Sequence, residues 1–233
     1  MTPKIHVWNA TTLEKHTDFS PVPQDNVMRI AIHKDGKYGI AGSDKGHIFA
    51  WDTENGKLIK EFDEVYTGEI RDLVFHPSGK IFVTGGFEGN VCLWSMEDSK
   101  PIRIITSAVE GDPSCLRFSP DGTALAVTST WRDQYVAVYD VQNGKRVRNF
   151  GGYGSAVRSV NFSPDGRFLI TGDIDFWVVI WDIATKEPLW SSPRNAGSHI
   201  YRVQMTPDQE MLIVIAGSEP TIYALPEDFA IQK

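Results

Sequence analysis

VNFSPDGRFLITGDIDFWVVIWD, running from Val160 to Asp182, carries the fold in its spacing. Apolar residues alternate at Val160 and Phe162, again at Phe168 and Ile170, and again at Val178 and Ile180, a period of two that predicts three short β-strands. Between the first two stand Ser163-Pro164-Asp165-Gly166. The proline pre-sets φ for a turn and the glycine supplies the permissive backbone, so the strands fold back as a hairpin. A second turn at Gly172 to Phe176 leads into the third strand, and helical spacing is absent.

The same phrase returns along the chain: IAIHKDGK at Ile30, LVFHPSGK at Leu73, LRFSPDGT at Leu116 and VQMTPDQE at Val203, with steps of 43, 43, 44 and 43 once Val160 is included. A second phrase keeps pace with it, as FAWD ending at Asp52, CLWS at Ser95, AVYD at Asp140 and VIWD at Asp182, with HVWN at Asn9 and a worn YALP at Pro226. After turns such as Asn55-Gly56 and Asn143-Gly144, a fourth strand follows, KLIKEF at Lys57 or KRVRNF at Lys145. Each period is then a four-stranded antiparallel unit, near 27–62, 69–106, 113–150, 156–190 and 200–226, with a partial unit at 4–19.

These residues resemble the WD40 repeat family, whose units of about this length close their third strand with Trp-Asp, here Trp51-Asp52 and Trp181-Asp182. The resemblance covers the whole chain, taken as a single domain. It implies an all-β, WD40-type β-propeller of about five four-stranded blades plus an extra N-terminal strand. In such a ring the first strand of each blade lines a central channel. Phe75, Phe118, Phe162 and Met205, each ending a first strand, are expected to be buried. Two closures fit the strand count. In one, Leu13 to Phe19 completes the last blade of a five-bladed ring. In the other, which is preferred, the chain is a portion of a larger propeller of seven blades, with sequence upstream of Met1 or self-association covering what is left open.

The family's polar set joins a His of a Gly-His pair before strand one, a Ser or Thr ending strand two, an Asp in the next turn, and the Trp. On this reading no Gly-His pair appears at all. Lys45 and Glu88 fill the Asp position in two repeats, Asp175 alone keeps its type, and Tyr153 takes the place of the His in the same unit. Apolar packing is therefore expected to hold the blades together.

Composition narrows the function. A formal net charge of −7 disfavours a general nucleic-acid binder and favours a basic or neutral partner. Two cysteines, Cys92 and Cys115, each in an apolar alternating segment, make neither a disulfide framework nor a CxxC site. The N-terminus, MTPKIHVW, has no secretory pattern and no run approaches the roughly 20 apolar residues of a membrane span, so the expectation is a cytoplasmic or nuclear protein, not a secreted or membrane one. Phosphate-loop, hydrolase and zinc signatures are missing, and His33 and His76 share a repeat position with Ser119 and Ser163. No catalytic residue, metal or cofactor is expected, and the chain is read as a non-enzymatic scaffold for protein or peptide partners.

The turns between strands two and three share one rim with the segments entering strand one. That rim carries Phe87, Glu88, Trp131, Asp133, Phe176, Tyr66 and Tyr153, aromatics beside acids, which suit a basic peptide. A second cluster, Arg71 and Arg158 at equivalent places with Arg29 and Arg202 one residue further on, offers the alternative of an arginine collar that captures a small anion or phosphopeptide at the channel mouth, with enzymatic action there left open.

Overall fold

A computed structural model of the chain describes residues 5–19, 25–129, 134–151, 155–193, 199–217 and 219–229. Each copy of the hairpin phrase is a tight turn in it. The N–H of Gly36, Gly79, Gly122 or Gly166 donates to the carbonyl three residues before, and these glycines hold φ values of 73, 75, 77 and 74°. That left-handed conformation is easiest without a Cβ. The fifth copy places Gln209 there at φ 62°, with its side chain buried.

The hairpins extend into antiparallel meanders that fall into two compact units, residues 1–106 and 107–233. In the first, β1 (His6–Trp8) and β2 (Lys15–Asp18) make a two-stranded hairpin. It is followed by the sheet β3 (Val27–Ile32), β4 (Tyr38–Ser43), β5 (Ile48–Asp52), β6 (Leu58–Glu61) and by the sheet β7 (Ile70–Phe75), β8 (Ile81–Gly86), β9 (Val91–Ser95), β10 (Pro101–Ile105). In the second unit come β11 (Pro113–Phe118), β12 (Ala124–Ser129), β13 (Tyr135–Asp140), β14 (Arg146–Gly151), then β15 (Val157–Phe162), β16 (Phe168–Asp173), β17 (Val178–Asp182), β18 (Pro188–Ser191). The three-stranded sheet β19 (Ile200–Met205), β20 (Met211–Ala216), β21 (Pro220–Ala224) ends the order. The four-stranded meander read from the repeats is thus present four times, and strands three and four of the partial N-terminal unit pair with each other.

The Trp-Asp dipeptide acts in two directions. Asp52 Oδ1 accepts the N–H groups of Glu54 and Asn55, and Asp182 Oδ1 those of Ala184 and Thr185, which starts the turn into strand four. The tryptophan points inward, where an aromatic from the end of the preceding sheet or hairpin meets it: Phe19 on Trp51 at 5.1 Å, Phe62 on Trp94 at 5.5 Å, Phe150 on Trp181 at 6.2 Å between ring centroids.

Sheets cover one another by one rule. Ile40, Ile48 and Ala50 share a core with Ile70, Leu73, Phe82 and Trp94 of the next sheet. In the second unit, Ala126, Val136 and Val138 pack with Val157, Val160 and Phe162, and Ile170, Val178 and Ile180 pack with Ile200, Val203 and Met205. Every first strand also carries a bulge, which makes Met28, Arg71, Ser114, Arg158 and Tyr201 the extra residues.

One expectation is corrected. Phe162 and Met205 are buried, but Phe75 and Phe118, at the same strand-end position, are only half-buried. The fully covered position is two residues earlier, at Leu73, Leu116, Val160 and Val203. Leu116→Ala should therefore cost about 2 to 5 kcal/mol in equilibrium denaturation, and Phe118→Ala clearly less. A larger loss for Phe118→Ala would place the register wrongly.

Candidate functional site

In each sheet the turn from strand two to strand three lies at the end where strand one begins. Phe87–Gly89 form a single 3-10 turn there, between β8 and β9. The Phe87 N–H donates to the Glu69 carbonyl at 3.0 Å. Gly68 lies beneath it, so close that a Cβ would come within 3.1 Å of the Phe87 Cβ. The segment entering β7 thus buttresses an aromatic ring that stays 49% exposed. Glu88 belongs to the same turn, and its side chain lies outside the described residues.

Tyr66, placed on the rim by sequence, belongs instead to the core and drops out of the candidate surface. It is 5% exposed, and its hydroxyl lies 2.9 Å from Thr84 Oγ1, which accepts the Trp94 Nε1–H at 2.8 Å. Burial holds the phenol well above its ordinary pKa. Trp181 Nε1–H donates likewise to Thr171 Oγ1 at 3.1 Å. Part of the polar set expected to be lost is therefore kept, with tyrosine for histidine.

In the second unit Phe176 is half-buried in the β16–β17 turn at φ 65°. Its ring stacks on His199 at 6.1 Å, and His199 Nδ1 meets the Ile174 carbonyl at 2.9 Å. The turn is thus pinned by its own unit. Trp131, Asp133 and Tyr153 lie outside the described residues.

The arginines are dispersed among local partners. Arg71 pairs with Glu69 at 2.9 Å, Arg29 donates to its neighbour Met28 O at 2.7 Å, and Arg158 lies 5.2 Å over the Tyr201 ring. Arg202 is exposed on β19.

Two features carry no sequence motif. The first is a clasp around Asp25, a buried carboxylate that takes Lys45 Nζ at 2.9 Å, Ser43 Oγ at 3.2 Å and His47 Nδ1. His47 Nε2 reaches Glu64 Oε1 at 3.1 Å. Burial opposes the charge on Asp25, yet bonds from Lys45, His47 and Ser43 outweigh it and hold its pKa below the ordinary value. The bond to Asp25 raises that of His47. Gly46-His47 is a Gly-His pair after all, in the turn before strand three. The repeat positions of Asp25 and Ser43 carry Ser155 and Asp173 in the second unit. Asp173 Oδ1 accepts the N–H groups of Asp175 and Trp177, Oδ2 has no partner, and burial raises its pKa. The acid turned inward is thus Asp173, and the expected Asp175 is exposed.

The second is a groove of about 410 Å³ in the first unit, between the β1–β2 hairpin and the turns after β3 and β5, lined by Val7, His16, Asp35, Lys37, Asp52 and Glu54 among others. Among the described residues no group of three or more His, Cys, Asp or Glu is placed to hold a metal, and no helix is long and apolar enough to cross a membrane.

The family described as "WD domain, G-beta repeat" matches the chain four times, at residues 10–52, 56–95, 99–140 and 144–182, well over half of its length. The chain belongs to the WD40 repeat family. Its sheets are the blades of a β-propeller fold. The curated relatives match single stretches: transcription initiation factor TFIID subunit 5 of Caenorhabditis elegans, 44% identical over 22% of this chain and 8% of its own length; eukaryotic translation initiation factor 3 subunit I of Aspergillus oryzae, 30% identical over 37% and 25%; and nuclear distribution protein PAC1 of Arthroderma otae, 39% identical over 27% and 13%. The matched stretches span a quarter or less of these relatives.

The clasp in this WD40 blade sets a pH dependence. A histidine with a raised folded pKa stabilises fully below its unfolded value of 6.5 and loses that contribution as pH rises through the raised one. Asp25 stabilises above 3.8 and loses its contribution as pH falls through its lowered value. The window is therefore mildly acidic. Parent and His47→Gln should differ by about 1 to 2 kcal/mol near pH 5.5, as charge-assisted hydrogen bonds do, and should converge by pH 9. Thermal melts across this range check it; a gap that widens with pH would contradict the assignment.

Proposed function

We propose that this WD40 chain is a non-enzymatic interaction platform whose blade-end turns hold a protein or peptide, with Phe87 as the anchor in the first unit. The observation that carries the reading is the outward ring of Phe87, held in place by Gly68 and Glu69 from the neighbouring segment. An aromatic that could fold into its blade but is propped outward is suited to serve as an anchor, because aromatics supply much of the energy at interfaces. The exposed Glu64 in the segment that enters β7 adds negative charge beside it, which favours a basic partner and speeds its encounter. Two of the relatives are named as subunits, which is compatible with a role inside a multi-protein assembly, and Trp131, Asp133 and Phe176 remain candidates for the corresponding end of the second unit.

Anion or phosphopeptide capture by the arginines is the weaker alternative. Arg71 already has a carboxylate partner and Arg158 lies over an aromatic ring, which leaves, among the described residues, Arg29 in the first unit and Arg202 in the second without a carboxylate or a collar around them.

A displayed peptide library selected on the parent protein, with Phe87→Ala and Glu64→Lys run in parallel, tests the reading. Basic peptides should be enriched. Phe87→Ala should weaken the selected peptides by about 2 kcal/mol, roughly 30-fold, without lowering stability, whereas Glu64→Lys should mainly slow association. Selected peptides that are acidic, or that bind Phe87→Ala as well as the parent, would defeat it.

A further inference from the structure

Within both units, strands two and three of one blade cover strand one of the blade that follows. Ile170, Val178 and Ile180 over Ile200, Val203 and Met205 is one instance. Matched by strand pairing, the covering positions in the last blade are Ile213, Pro220 and Ile222, and the positions covered in the first are Val27, Ile30 and Ile32. Ile222 is 60% exposed, although Ile180, its equivalent by strand pairing, is fully buried. Ile30 and Ile32 are 46% and 50% exposed, although Val203 and Met205 are each at 1%. The chain therefore displays both halves of an interface that it builds elsewhere.

We infer that a second copy of the chain joins these faces head to tail, β20 and β21 of one copy stacking on β3 of the next. The surface continues three existing blade interfaces, in which residues at these structural positions bury each other. Charge agrees with it. Glu219 is exposed at the end of the last blade where strand two finishes, and Arg29 is exposed beside Ile30 at the end of the first blade where strand one begins. Stacking in the internal register sets them at the same end with opposite sign. The β1–β2 hairpin covers the outer half of the first blade, through Ile5 and Phe19 against Phe49 and Trp51, so the incoming sheet has the inner half, with β3, to cover. A contact between two different faces propagates into open chains or closes as a ring. This surface is separate from the Phe87 turn, and its test needs no peptide.

Sedimentation velocity over a range of concentrations tests it with the parent, with Ile30→Asp/Ile32→Asp and with Ile215→Asp/Ile222→Asp. All four substituted residues are exposed, and circular dichroism confirms folding. The parent should form species larger than one chain. Each double variant should remain monomeric alone, and an equimolar mixture of the two should give a dimer and nothing larger, because each keeps the face that the other lacks. A parent that stays monomeric throughout would overturn the inference. So would variants that assemble as the parent does, or a mixture that stays monomeric, the result expected if another chain covers these faces. Should an aspartate variant unfold, Arg29→Glu and Glu219→Arg serve instead: each alone should weaken assembly at least several-fold, and the double exchange in one chain should restore it. Failure of that restoration would equally overturn the head-to-tail pairing.

Discussion

A twisted four-stranded sheet has two faces, and in a repeat of some 43 residues each of them carries apolar side chains that the sheet cannot cover by itself. The blades of this chain meet that constraint by lending each face to a neighbour. Ile40 is buried in a core that Leu73 of the next blade shares, and Ile170 in one that Val203 shares. The repeat length follows from this, since four strands and three turns must return the chain to an equivalent start with the next blade in register. Tight turns at Gly36, Gly79, Gly122 and Gly166, and aspartates that pin the turn into strand four, hold the strand lengths constant enough for the faces to match.

Polar groups adjust this packing without replacing it. Thr84 and Thr171 each take the indole N–H of a buried tryptophan, which would otherwise be a buried donor without an acceptor. Where Val127 stands in place of the threonine, Tyr139 stands in place of the tryptophan and sends its hydroxyl to the Ala108 carbonyl. The pair changes together because leaving one member buried and unpaired is costly. Asp25 and Asp173 show the opposite outcomes for a buried carboxylate: the first is surrounded by Lys45, His47 and Ser43, and in the second, with the backbone N–H groups of Asp175 and Trp177 on one oxygen, burial prevails and raises the pKa.

The strand order, the turns and the family were legible in the sequence because each rests on local, periodic signals: alternation, Pro-Asp-Gly, Trp-Asp. Bulges at Arg71 and Arg158 agree with the equivalence read for them from spacing alone. What escaped depends on distance in the chain. Tyr66 stands among acids and looks like a surface aromatic until Thr84 and Trp94 are brought to it. The Asp25 clasp joins residues from both sides of a hairpin, and its Gly46-His47 pair precedes the third strand, not the first where the family pattern has it. Phe75 and Phe118 show that alternation gives the face a residue points to, and not how far along the strand the cover extends.

Hydrogen exchange followed by mass spectrometry measures the central constraint directly, since protection should depend on how many faces of a strand are covered by a neighbouring blade. The account predicts slow exchange in β16, whose blade is covered on both faces within its own unit, and fast exchange in β1 and β21, under dilute conditions where copies are separated. Exchange in β21 as slow as in β16 under those conditions would contradict it, because strand pairing alone, and not the stacking of blade on blade, would then be what holds the chain together.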